Sequence, residues 1–79
     1  RYPQALREAG IEGEVLAQFV VDTMGRVEIE TFKVLRASDD TFTIAVRDAL
    51  VETRYLPARV GGRAVKQLVQ QPFAFQLTK

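Results

Sequence analysis

A proline stands inside the most strand-like stretch of this 79-residue chain. From Gln67 to Leu77 the sequence QLVQQPFAFQL alternates with period two. Val69, Phe73, Phe75 and Leu77 share one face, and Pro72 falls among the residues of the other. Proline has no N–H to give to a ladder, so a sheet that uses this segment must leave one side of it unpaired. The segment is therefore predicted to be an edge strand. Each residue of a strand directs its N–H and C=O toward the same neighbour, and successive residues alternate sides. If Pro72 faces the open side, so do the even-numbered residues Lys66, Leu68, Gln70 and Ala74. Their backbone groups are then left without a partner in the sheet.

The rest of the chain supplies the sheet. Tyr2 to Gly10 reads as a short helix, with Pro3 in its first turn, Gly10 as its stop, and Ala5, Leu6 and Ala9 as a narrow apolar stripe. Glu12 to Asp22 switches to period two, with Val15, Ala17, Phe19 and Val21 on a core face and Leu16 and Val20 on a partly apolar second face. A turn centred on Gly25 leads into a second strand from Arg26 to about Arg36, making a hairpin. In that strand Val27 and Ile29 are odd-numbered, whereas Phe32 and Val34 are even. Faces cannot exchange parity without an extra residue, which predicts a β-bulge near Glu30–Thr31.

Ala37 to Thr53 contains the clearest helix. Asp39 or Asp40 caps it, and Phe42, Ala45, Val46, Ala49, Leu50 and Thr53 form its buried stripe. Pro57 is expected to end the helical segment. Gly61–Gly62 permits a tight reversal that pairs Tyr55–Ala58 with Arg63–Val65. The last strand runs to Leu77. The expected fold is α+β: a two-layer sandwich in which a three-stranded antiparallel sheet of order 2-1-3 carries two helices on one face, plus the small hairpin near 55–65.

Few chemistries remain open to such a chain. It has no cysteine and no histidine, which removes disulfides, thiolate metal sites and the commonest general base. A net charge of +1 gives no basic stripe for nucleic acid. No apolar run approaches the roughly 20 residues that span a bilayer. Adjacent Asp39 and Asp40 suit a helix start better than a catalytic dyad. Ser38 has no histidine partner, and Lys33 and Lys66 show no sign of activation. The VGGRAV stretch lacks P-loop spacing. Arg54, Arg59 and Arg63 gather around its turn, as a solvated rim or as a contact for an acidic partner. No catalytic residue, cofactor or metal is expected, and the chain is not read as an enzyme.

Several short motifs in order resemble one family. They are Tyr2–Pro3 opening the first helix, Gly10–Gly13 (Gly-Ile-x-Gly) before the first strand, and Asp22–Val27 (Asp-x-x-Gly-Arg-Val) at the hairpin. Tyr55–Ala58 (aromatic-x-Pro-Ala), Gly62–Val65 (Gly-x-x-Val) and Pro72–Phe75 (Pro-Phe-x-Phe) follow. Together they resemble the C-terminal domain of TonB-family energy transducers over nearly the whole chain. Two features depart from the pattern. RVEIETFKVL is a couple of residues longer than the usual second strand, and the aromatic pair before Pro-Ala is here Arg54–Tyr55.

The resemblance implies a periplasmic module, residues 1–79, of a longer protein anchored in the inner membrane. A proton-driven motor complex, reached through the preceding region, would move it. The module would grip the N-terminal TonB-box segment of outer-membrane transporters for iron chelates (siderophores), vitamins or sugars. The open edge supplies the grip by β-augmentation. Val65, Lys66, Gln67, Leu68, Val69, Gln70, Gln71 and Ala74 are the expected strand-binding residues, strongest from Val65 to Gln71 because Pro72 accepts but cannot donate. Tyr2, Pro3 and Arg63 are expected secondary contacts. No nucleic acid and no membrane contact by the fragment itself are expected. The alternatives are a self-associating module, edge-paired or domain-swapped as a homodimer, and a TonB-like domain within another envelope protein.

Overall fold

The computed structural model describes residues 1–77. In chain order its elements are α1 (Gln4–Glu8), β1 (Gly13–Val21), β2 (Val27–Ala37), α2 (Asp40–Glu52), β3 (Ala58–Val60), β4 (Arg63–Val65) and β5 (Gln67–Phe75). The main sheet has the order β2-β1-β5 with both pairings antiparallel, and β3–β4 forms a separate two-stranded sheet.

Alternation in β1 builds the core. Val15, Ala17 and Phe19 are fully buried and Val21 nearly so, and they meet Phe42, Val46 and Leu50 of α2. Leu6 and Phe75 complete the cluster. Full burial of each large apolar side chain stabilises by about 1.5–3 kcal/mol. With so few such residues, the domain depends on each. The second helix is held at its start by Asp39, whose Oδ1 accepts from the Thr41 N–H at 2.7 Å. Asp40 lies in the first turn instead.

The predicted bulge is present. Between Gln18 and Val20 of β1, β2 advances from Lys33 back to Glu28, so Ile29–Phe32 face a single residue. Thr31 fills the gap in the ladder: its Oγ1 accepts from the Val20 N–H at 2.8 Å and donates to the Glu28 carbonyl at 2.6 Å. A second, unpredicted irregularity leaves Leu35 unmatched, where Leu16–Ala17 oppose Arg36 and Val34. The β1–β5 register, in contrast, is unbroken from Gly13–Phe75 to Val21–Gln67.

Four expectations need correction. The second helix stops at Glu52, before Pro57 is reached, because the next residues are tied to the β1–β2 turn. Thr53 is extended at ψ 140°, Arg54 bridges Arg26, and the Tyr55 N–H donates to the Gly25 carbonyl at 2.8 Å. The small hairpin pairs Ala58–Val60, not Tyr55–Ala58, with Arg63–Val65. Gly61 (φ 57°) and Gly62 (φ 81°) form a two-residue loop, which fixes Val60 opposite Arg63 and leaves Tyr55–Pro57 outside the ladder. The last strand ends at Phe75 rather than Leu77, whose N–H donates to Glu12 Oε2 at 2.8 Å. In the helices, Ala5, Ala9 and Ala49 are exposed, so the buried stripes are narrower than their apolar patterns.

Candidate functional site

Hydrogen bonds on the β2 side of β1 determine which way β5 faces. Glu14 donates its N–H to Ser38 Oγ at 3.0 Å and accepts from the Ser38 N–H at 3.1 Å, and the Val20 N–H goes to Thr31. The even residues of β1 therefore turn toward β2, and the odd residues toward β5. The register pairs odd with odd, so Gln67, Val69, Gln71, Phe73 and Phe75 exchange bonds with β1. Leu68, Gln70, Pro72 and Ala74 present their backbone groups to the other side, where no strand of the described residues pairs. Pro72 lies opposite Leu16 with its missing donor on the open edge, as its chemistry demands.

The expected strand-binding residues thus divide. Leu68, Gln70 and Ala74 supply outward donors and acceptors, whereas the backbones of Gln67, Val69 and Gln71 are engaged with β1. Val65 belongs to β4 and pairs with Ala58. Lys66 falls between β4 and β5, and its Nζ lies 2.6 Å from Glu28 Oε2, a contact that raises its pKa. The regular open edge accordingly begins at β5, two residues later than expected. The physical reason is that the Gly61–Gly62 loop recruits Arg63–Val65 into its own hairpin.

Side chains steady this edge from both faces. Gln70 Nε2 donates to Gln18 Oε1 at 2.8 Å on the outer face. On the core face the Tyr55 hydroxyl donates to Gln71 Oε1 at 3.0 Å, and its ring lies 5.8 Å from that of Phe19. Burial raises the Tyr55 pKa. Val69 and Phe73 are only half-buried, so apolar surface continues to the rim.

The expected secondary contacts are not brought together. Tyr2 packs edge-on against Phe42 (5.7 Å) and Phe75 (5.5 Å), donates its hydroxyl to the Ile11 carbonyl, and carries the Arg7 guanidinium 5.6 Å from its ring. Desolvation, and then the charge of Glu12, raises its pKa. Tyr2 and Pro3 also wall a groove of about 750 Å³ with Ile44, Ala45 and Asp48 of α2. Arg63 begins β4, at the opposite end of the ribbon from Phe75.

Asp22 is the structural residue that pattern reading left unassigned, although the Asp-x-x-Gly-Arg-Val motif contains it. Its Oδ1 accepts from the Met24 N–H at 2.8 Å and the Arg26 N–H at 2.9 Å. These two backbone bonds, that from Arg26 first, hold its carboxyl below the ordinary aspartate value of 3.8. A lowered native pKa means stability that is present above the unfolded value and lost as pH falls through the native one. Asp22→Asn should therefore flatten the acid limb of a urea-midpoint-against-pH curve below about pH 4. An unchanged acid limb would remove Asp22 from the role.

The comparisons with known proteins fall on this geometry. The sequence profile of the Gram-negative bacterial TonB protein C-terminal family matches residues 1–77. The chain belongs to that family. Its fold is similar to the solution NMR structure of the Pseudomonas aeruginosa TonB C-terminal domain, with a TM-score of 0.84 and 30% identity, over 100% of this chain and 79% of that one. No curated protein matches it. The TonB-type motifs now have physical roles: Tyr2 seals one end of the core, Asp22 and Gly25 form the hairpin turn, Tyr55 braces β5, and Pro72 marks the free edge. No helix of the described residues is long and apolar enough to cross a membrane.

Proposed function

We propose that this TonB-type domain captures the N-terminal TonB-box segment of outer-membrane transporters as an added strand along β5. It then passes on force from the inner-membrane motor. The observation that carries the reading is the row of outward backbone groups at Leu68, Gln70, Pro72 and Ala74, with no neighbour in the sheet. Main-chain bonds are largely indifferent to side-chain identity, which suits a module serving several transporters for siderophores or vitamins. Several of them in parallel suit a joint under load. The same reading places the domain in the periplasm, as the end of a longer protein anchored in the inner membrane. It acts as a binding and coupling element without catalysis.

Gln70→Pro tests the reading directly, because it deletes one outward donor while leaving the backbone ladder between β1 and β5 intact, at the loss of the exposed Gln70–Gln18 side-chain bond. Affinity for a transporter N-terminal peptide should fall about tenfold, with the melting temperature nearly unchanged. In the parent, amide shifts on adding that peptide should be confined to β5, Gln67–Phe75. Normal peptide binding by the variant would mean that another strand is used. Sedimentation over a concentration series would show whether a second copy occupies the edge instead.

A further inference from the structure

All ten carboxylates of the chain lie at or before Glu52, and the last 27 residues carry five cations and no acid. The net charge of +1 therefore conceals a separation. The fold gives that separation a direction. Arg26 and Arg54 sit opposite each other in an isolated antiparallel bridge, and the Tyr55 N–H bonds to Gly25. The β1–β2 turn and the segment leaving α2 thus meet at the end of the sheet remote from Tyr2 and Phe75. The β3–β4 hairpin, which bears Arg59 and Arg63, leaves from this end and, among the described residues, pairs with no other strand.

Two observations point outward from this end. Like charges directly opposite each other across a bridge repel, yet among the described residues neither Arg26 nor Arg54 has an ion-pair partner. The nearby acids are mostly engaged: Asp22 Oδ1 accepts from the Met24 and Arg26 backbone while its charge also acts on Arg26, and Glu28 pairs with Lys66, which Glu30 also neighbours. Beside these cations, large apolar side chains stand in water. Leu56 is 95% exposed, Met24 69% and Val60 68%. An unsupported two-stranded hairpin is marginally stable in water, so the fold by itself gives little reason for such a projection.

We propose that this end docks on an anionic lipid bilayer, with Leu56, Val60 and Met24 entering the interfacial layer and Arg26, Arg54 and Arg63 meeting lipid phosphates; Val60 and Arg63 are cross-strand partners on one face of the hairpin. Projecting apolar tips beside arginines match a broad, deformable anionic surface, whereas a site for an acidic peptide would be concave. Guanidinium forks pair well with phosphate oxygens. This surface is separate from the β5 edge and goes beyond strand capture. It also departs from the expectation that the fragment itself touches no membrane.

Co-sedimentation of the chain with vesicles tests the proposal. It should bind phosphatidylcholine vesicles containing phosphatidylglycerol at about one lipid in three, but not pure phosphatidylcholine, and added salt should release it. Each arginine near such a surface contributes roughly fivefold, so Arg54→Ala with Arg63→Ala should lower partitioning on the order of 30-fold. Lysine at both positions should restore most of it. Leu56→Ser should cost about tenfold without moving the melting temperature, since Leu56 supports nothing in the fold. Gln70→Pro should bind vesicles normally, so a failure here and a failure of strand capture are told apart. Equal binding to neutral vesicles, no binding at all, or indifference to these substitutions would overturn the proposal. So would binding to polyglutamate without binding to anionic vesicles, which would assign the patch to an acidic protein.

Discussion

Gly25→Ala should remove a large share of the domain's stability. Gly25 is buried at φ 83° in the β1–β2 turn, and a methyl group there would overlap the Tyr55 carbonyl. The left-handed backbone costs a residue with a Cβ about 1–2 kcal/mol, and pushing one segment of backbone off another adds about 1–3 kcal/mol. A domain of this length has about 4–12 kcal/mol in total. The thermal midpoint should drop on the order of 20 °C, and the Tyr55–Gly25 hydrogen bond should be lost with it. A midpoint within a few degrees of the parent would mean that the two segments do not approach so closely.

Phe42→Ala is the second large effect. Phe42 is fully buried, stacks on Phe75 at 4.4 Å, and receives Tyr2 edge-on at 5.7 Å. Truncating a phenylalanine in such a site costs about 3–5 kcal/mol through lost burial and the cavity left behind. The loss should also be directional. Tyr2 loses one of its two aromatic supports, so amide exchange in residues 4–11 should accelerate more than in β3–β4, whose residues lie outside the core cluster. Phe73→Ala, at a half-buried position on the same strand as Phe75, should cost clearly less. Equal denaturant midpoints for the two variants would contradict the packing described.

Much of this architecture was legible in the residues. The alternation of Val15, Ala17, Phe19 and Val21 fixed the central strand's inner face, and Pro72 fixed which strand lies at the edge. The exchange of parity between Ile29 and Phe32 located the larger bulge. The bulge at Leu35 was hidden for a reason that can be stated. Faces change back between Val34, opposite Ala17, and Ala37, opposite Val15, but Leu35 is itself apolar and so masks the change. The early end of α2 was hidden as well, since Thr53–Tyr55 leave the helix to bond with Arg26 and Gly25, a contact that no local pattern records. At the candidate site, period-two alternation runs smoothly through Val65 and Lys66, and only the competing Gly61–Gly62 hairpin shows that these residues precede β5. The cationic end was written in the sequence as an acid-free third of the chain, but its significance required the fold to bring Arg26 and Arg54 face to face.

The irregular outer margin of β2 bears on stoichiometry. Its two interruptions break the even spacing of donors and acceptors that an incoming ladder needs. The sheet thus has one evenly spaced open edge, on β5, and an interrupted margin on the far side. Under the strand-capture proposal, that asymmetry means one guest per domain.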